Sequence, residues 1–270
     1  MASAAPNPSS TPVVAPLRLE RGLIPLALID EAVDTLKDMM GGGAADDLDA
    51  CVDRLRAEDR ARLGAVYDAF RETEIFRRVI TAPGLTAVAR EMTGAGQLHS
   101  PFQHCVFRMD LAGEHWRGFG WHQDHPYNML SDRSVTAWLP LTPTGPANGS
   151  VEIAPARSDQ LYPVEVRFKR DADGSPRATR DAFIAEALQP GFDAFAETLT
   201  LDPGDVVLFG NHLVHRSGFN PGPRHRYSIQ ARFGDLLAPE MIARGWANRR
   251  TDGFDTYKTL YPHLIDFEEA

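Results

Sequence analysis

Cysteine is nearly absent: two residues among 270 cannot build a disulfide scaffold. Cys51 and Cys105 therefore read as reduced residues of a cytoplasmic protein. Cations are also in short supply, with 28 Lys and Arg against 37 Asp and Glu, a formal net charge of −9. That balance argues against nucleic acid or an anionic membrane as a partner, because both reward clustered Lys and Arg. A small anionic ligand needs only one or two local cations and is not excluded. No run of about 18 apolar residues is present, so no membrane span is expected. The opening MASAAPNPSSTPVVAP lacks a basic start and a continuous apolar core, so no secretory signal is expected. No internal repeat is visible. What remains is a chain that is 43% hydrophobic, ample for a core, and punctuated by 22 Gly and 20 Pro.

The chain divides by character. Residues 1–16, rich in Ala, Pro and Ser, read as a flexible leader, and 17–270 as a single domain. A helical block runs over 25–95. Asp30 is a candidate cap for a helix through Met40, with Ile29 as its staple, stopped by Gly41-Gly42-Gly43. Asp59 is a candidate cap for a second helix whose Leu63, Val66, Tyr67 and Phe70 share one face. Pro83-Gly84 opens a third, Leu85 to Met92, ending near Gly94. Beyond Gly94 short β-rich runs take over: Phe102–Met109, Ser134–Leu141, Ser150–Ala154, Glu197–Leu201, Asp205–Gly210 and Arg226–Phe233. Six strands after a helical block imply a closed or double-sheet β architecture over 100–235 with helices outside. The segment 157–196 interrupts the series; it is expected to hold a helix at Asp181–Leu188 and to act as a lid. A last helix is expected from Pro239 to Trp246.

The chemistry centres on His122-Gln123-Asp124. Residues two apart on an extended strand point to the same face, so one metal ion can take both side chains. The third ligand must come from a distant strand. His215, after the apolar run Val206-Val207-Leu208-Phe209, is the best candidate and His212 its rival; three apart, they face opposite sides of an extended piece. Two imidazoles and one carboxylate leave coordination positions open, as in non-haem iron(II) oxygenases. A structural zinc would close its shell, usually with Cys, and none is near. Arg226 opens a strand, and an Arg on the inner face of a barrel needs an anion; a ligand carboxylate held bidentately would supply it. Trp116, Arg117, Trp121, His125, Tyr127 and Asn128 flank the pair and are candidate pocket residues, while Glu114 and His115 read as surface residues.

Taken together, His122-Gln123-Asp124, the strand Val135-Thr136-Ala137-Trp138-Leu139-Pro140-Leu141, Asn148-Gly149-Ser150, and His215-Arg216-Ser217-Gly218 with Arg226 eleven residues past His215 resemble the phytanoyl-CoA dioxygenase family. The resemblance spans roughly Phe102 to Phe233. It implies a double-stranded β-helix, a jelly-roll of the cupin type in an α+β chain with N-terminal helices outside. It implies iron(II), 2-oxoglutarate and dioxygen as cofactor and cosubstrates. His122, Asp124 and His215 match the iron ligands, and Arg226 the grip on the distal carboxylate of 2-oxoglutarate. Ser217 matches a hydroxyl on that carboxylate and Trp138 an aromatic near it, with Thr136 and Gln103 as weaker matches. One departure is Pro155-Ala156-Arg157-Ser158-Asp159, where the family often has Pro-Gly-Ser-His; no iron ligand lies there.

The expected reaction is hydroxylation of a small biosynthetic substrate with release of succinate and carbon dioxide. Asp124 argues against halogenation, which in such enzymes needs the carboxylate's position for chloride. Desaturation, ring closure and epimerisation remain compatible. Two other classes are a cupin-like metal isomerase or hydrolase, which would not need the Arg226 grip, and a binding barrel without catalysis, which would not need the intact ligand set.

Overall fold

The computed structural model describes residues 16–114, 118–170, 175–247 and 254–268. The expected leader, apart from Pro16, and His115, Trp116 and Arg117 lie outside the described residues. The helical block contains α1 (Leu26–Met39), α2 (Leu48–Glu58), α3 (Arg60–Ala69), α4 (Glu74–Ile80) and α5 (Pro83–Thr93). Asp59 caps α3 as expected, accepting the Arg62 amide at 2.9 Å, and Gly94 closes α5 in the left-handed region at φ 63°. Asp30 is not a cap: α1 begins at Leu26, just after Pro25, because Pro fixes the backbone entering a helix without needing a donor. Ile29 is then a buried face residue instead of a staple. Helix α2, capped by Asp47 through the Ala50 amide, was not marked in the sequence.

The strands are β1 (Leu17–Glu20), β2 (Leu98–His99), β3 (Val106–Asp110), β4 (Val135–Pro140), β5 (Val151–Ile153), β6 (Val164–Arg170), β7 (Pro176–Ile184), β8 (Glu197–Thr198), β9 (Val206–Gly210), β10 (His215–Ser217), β11 (Arg226–Asp235) and β12 (Ile265–Phe267). The major sheet is ordered β1-β9-β4-β11-β2, with β3 also paired to β11, and the minor sheet β10-β5-β8 faces it. Strand alternation divides the major sheet's side chains cleanly. Val135, Ala137, Leu139, Tyr227, Ile229, Ala231 and Phe233 turn outward and share one apolar core with α1–α5. Trp138, Val207 and Phe209 turn inward and meet Val151, Ile153, Leu201 and Leu213 of the opposite side. This is the expected double-stranded β-helix with helices packed outside.

The segment 157–196 differs from expectation. Asp181–Leu188 is not a helix: β7 runs through Ile184, followed by a 3-10 turn at Glu186–Leu188. Its Ala, Glu and Leu content favours helix only weakly. Pairing with β6 overrides it, antiparallel from Val164↔Ile184 onward, while β12 adds in parallel on the other edge of β6. Ala182, Val164 and Val166 bury their side chains against Met129, Phe254 and Tyr257, a gain that exposed helix propensity cannot match. Phe102–His104 is likewise a 3-10 turn ahead of β3, and the C-terminal helix stops at Ala243.

Candidate metal centre and active site

Sheet pairing brings the distant ligands together. His122 and His215 form an antiparallel bridge, with His122 N donating to His215 O at 2.9 Å and His215 N to His122 O at 3.0 Å. Their imidazoles and the Asp124 carboxylate offer ligand atoms that all lie within 4.8 Å of one another. His122 Nε2 is 3.9 Å from Asp124 Oδ1, and His215 Nε2 is 4.0 Å from Oδ2. One metal ion could take a ligand atom from each of the three side chains.

The tautomers suit a metal. Each histidine donates Nδ1–H to the carbonyl two residues earlier, His122 to Gly120 O and His215 to Leu213 O, both at 2.8 Å. That leaves each Nε2 lone pair aimed at the cluster. Burial holds both imidazoles below their ordinary pKa, His122 well below it, so both are neutral ligands at pH 7. For Asp124 burial pushes the carboxyl up, but the Arg232 guanidinium and the neighbouring imidazoles overcome it and bring it down to about 2. The carboxylate also accepts a short hydrogen bond from Thr136 Oγ1. The donor set, protonation and openness fit iron(II). His212 sits elsewhere, its ring 5.0 Å from that of His125.

A cavity of about 200 Å³ adjoins the cluster, lined among others by Trp138, Ser217, Arg226, Gln230 and Arg232. Arg226 is 3% exposed, and its anion is already supplied by the chain: Nη2 lies 3.0 Å from Asp110 Oδ2. Its Nη1 donates to Gly218 O at 2.9 Å. The sequence reading assigned that role to a ligand alone. Asp110 also takes Arg108 Nη2 at 2.5 Å on its other oxygen. Burial would raise its carboxyl, yet Arg108 and Arg226 hold it at about 2. Asp110 is thus shared between two guanidinia, and Arg226 and Ser217 line the cavity together. Gly149 makes room for this arrangement: at φ +73°, an added Cβ would come within 2.6 Å of Arg226 Nη1.

The other expected residues divide. Thr136 reaches the Asp124 carboxylate. Gln103 is exposed, and its neighbour His104 lines the cavity instead, because the 3-10 turn reverses the alternation expected of a strand. Tyr127 and Asn128 line the cavity. Trp121 is buried in a separate cluster with Phe192, and His125 packs near Tyr257 and Tyr261. Glu114 is no surface residue: at 6% exposure it pairs with Arg56 and Arg60 at 2.9 and 2.8 Å. Sequence reasoning missed Arg108, Asp110, Gln230 and Arg232. The alternation Arg226-x-x-x-Gln230-x-Arg232 inside an apolar strand was the available signal.

A jelly-roll with a His-x-Asp and His centre at its inner face defines a class: the non-haem iron(II) and 2-oxoglutarate-dependent enzymes. The comparisons agree with that class. The family model "Phytanoyl-CoA dioxygenase (PhyH)" matches residues 28–228. This chain belongs to the phytanoyl-CoA dioxygenase family. No curated protein matches the sequence. Among solved structures it is similar to the α-ketoglutarate-dependent epimerase SnoN from nogalamycin biosynthesis, at 18% identity and TM-score 0.51, covering 82% of this chain and 78% of that one. It is also similar to the non-haem monooxygenase ThoJ, at 19% identity and TM-score 0.51, covering 78% and 70%. EctD from S. alaskensis in its apo form gives 17% identity and TM-score 0.52, covering 82% and 74%. At such identities the likeness is one of fold.

Proposed function

We propose that this enzyme hydroxylates a small-molecule substrate, using iron(II), 2-oxoglutarate and dioxygen and releasing succinate and carbon dioxide. The observation that carries the reading is the pairing of an open His122–Asp124–His215 centre with a buried Arg226, held by Asp110 beside Ser217, in the same cavity. A cupin-like isomerase or a binding barrel has no use for that second feature.

His122, Asp124 and His215 would hold the metal, which supplies oxygen activation when bound. Thr136 and Arg232 keep the Asp124 carboxylate ionised and oriented. Arg226 and Ser217 would receive the distal carboxylate of 2-oxoglutarate, with Trp138 as the wall beside it. Phe119, whose ring is 4.3 Å from that of His122 and 5.1 Å from that of Phe183, shields the centre from water. The β6–β7 hairpin would act as the lid, since Phe183 lies on it and Tyr127 beside the metal loop hydrogen-bonds Ala182. The retained carboxylate supports hydroxylation over halogenation. The similar structures include an epimerase and a monooxygenase, which keeps epimerisation as the second reading.

Anoxic addition of iron(II) and 2-oxoglutarate to the apoprotein is expected to produce a weak visible charge-transfer band. Arg226→Met should weaken 2-oxoglutarate about 10- to 100-fold in a titration of that band, the value of roughly 1.5–3 kcal/mol for a charged hydrogen bond. A missing band in the wild type, or unchanged affinity in the variant, would overturn the reading.

A further inference from the structure

The cavity holds a second cation whose anion is not accounted for. Arg216 spends its charge on Glu152 and Asp193, at 2.6 and 2.7 Å. Arg226 is committed to Asp110 and to backbone carbonyls. Arg232 lines the same cavity and is 6% exposed, yet it uses only Nη2, 2.8 Å from Gln230 Oε1 and 3.4 Å from Asp124. Its Nε and Nη1 have no hydrogen-bond partner among the described residues. Asp124, its only charged contact there, is also a ligand for the metal. With a dication in place, Arg232 is a buried guanidinium beside a positive ion and without an anion of its own. Such a charge is costly to leave unpaired.

The surroundings suit an oxyanion. Sheet register sets Thr136 beside Arg232 on β4. On the other flank His104 lies two residues before Val106, the partner of Gln230. His104 Nδ1 is 3.0 Å from Asn128 Oδ1, and both residues line the cavity with Gln230 and Arg232. The same cavity is also lined by Phe119 and Tyr127, ring centroids 5.6 Å apart. The cavity thus has a cationic, hydrogen-bonding end on the Asp124 side and an aromatic flank. Cosubstrate held by Ser217 and Arg226 would occupy the His215 side. Those two arginines stand six residues apart on β11, about 20 Å of strand.

We propose that Arg232 is a carboxylate receptor beside the metal centre, and that the substrate is a carboxylic acid whose carboxylate it binds. The proposal rests on the oxygenase reading above.

The test uses full-length protein loaded anoxically with iron(II) and 2-oxoglutarate. A panel of small aliphatic and aromatic monocarboxylic acids is titrated in, each beside its own primary amide, following the charge-transfer band. At least one acid is expected to perturb the band with an affinity at least about tenfold above that of its amide. Arg232→Met should erase that preference, and Arg232→Lys should keep part of it. If no acid outperforms its amide, or if Arg232→Met keeps the preference, the proposal is wrong. If Arg232→Met instead weakens 2-oxoglutarate as much as Arg226→Met does, the carboxylate is the cosubstrate's own and the substrate assignment is overturned. Loss of the band itself in Arg232→Met would limit Arg232 to holding Asp124 and would overturn it too. A wild type without a band removes the oxygenase reading, and this proposal with it.

Discussion

The metal-free protein should lose stability steeply as pH falls from 6.5 towards 5. Three buried histidines, His122, His125 and His215, and the half-buried His212 have pKa values held below the ordinary value by burial. In the unfolded chain each returns to about 6.5. Above that pH both states are neutral and nothing depends on these groups. Below it the unfolded chain takes up protons that the folded chain refuses, so stability falls with pH. Each group costs at most about 1.4 kcal/mol per pH unit, and the losses act in the same direction. A typical domain has only about 5–15 kcal/mol in total. The depressed carboxylates add nothing to this loss between pH 6.5 and 5, because Asp110 and Asp124, both at about 2, lose their contribution only below the ordinary carboxylate range. Denaturation midpoints at pH 7.5, 6.5 and 5.5 without metal measure the slope. His125→Phe should flatten it, since neither ring nitrogen of His125 has a hydrogen-bond partner among the described residues. A midpoint that does not move between pH 7.5 and 5.5 would contradict the neutral state of these rings.

Asp110→Asn is expected to destabilise the metal-free protein by about 3–5 kcal/mol, the cost of breaking a buried ion pair from one side. Asp110 is the carboxylate between Arg108 and Arg226, and its neutral amide leaves two guanidinia facing each other in the cavity. The deficit should be partly repaired by the ligand. With iron(II) present, 2-oxoglutarate should raise the melting temperature of Asp110→Asn by more than it raises that of the wild type, because the incoming carboxylate replaces the missing charge. Thermal unfolding of both proteins with and without 2-oxoglutarate decides this. Equal stabilisation of the two would mean that the ligand carboxylate does not share the Arg108–Asp110–Arg226 group.

The metal loop and the barrel strands were readable because their signals are local. The spacing of His122 and Asp124 suits one face of an extended piece, although only His122 pairs as a strand and Asp124 turns into the helical region before His125–Asn128; Val206 to Gly210 carries an apolar run bounded by a Pro-Gly turn. Strand β6 was equally readable in principle, since Val164-Glu165-Val166-Arg167-Phe168 alternates strictly, but it lies in a segment whose mixed charge drew attention away from period two. The helix expected at Asp181–Leu188 shows the opposite failure. Its composition is helical and only its neighbours make it a strand. Spacing alone does not choose between His215 and His212, since three apart they face opposite sides without saying which is inward; the family resemblance is what selects His215.

By itself the sequence determined the ligand types, their pairing along the chain, and a mainly β core behind a helical block, because residue chemistry and hydrophobic period are properties of short segments. Tertiary structure decided that His215 meets His122 across a strand bridge, that Asp110 is the counter-ion of Arg226, and that Arg232 lies beside Asp124 with two donor atoms unused among the described residues. Those facts depend on strand register between residues about ninety or more positions apart, where a one-residue slip would turn every side chain to the other face.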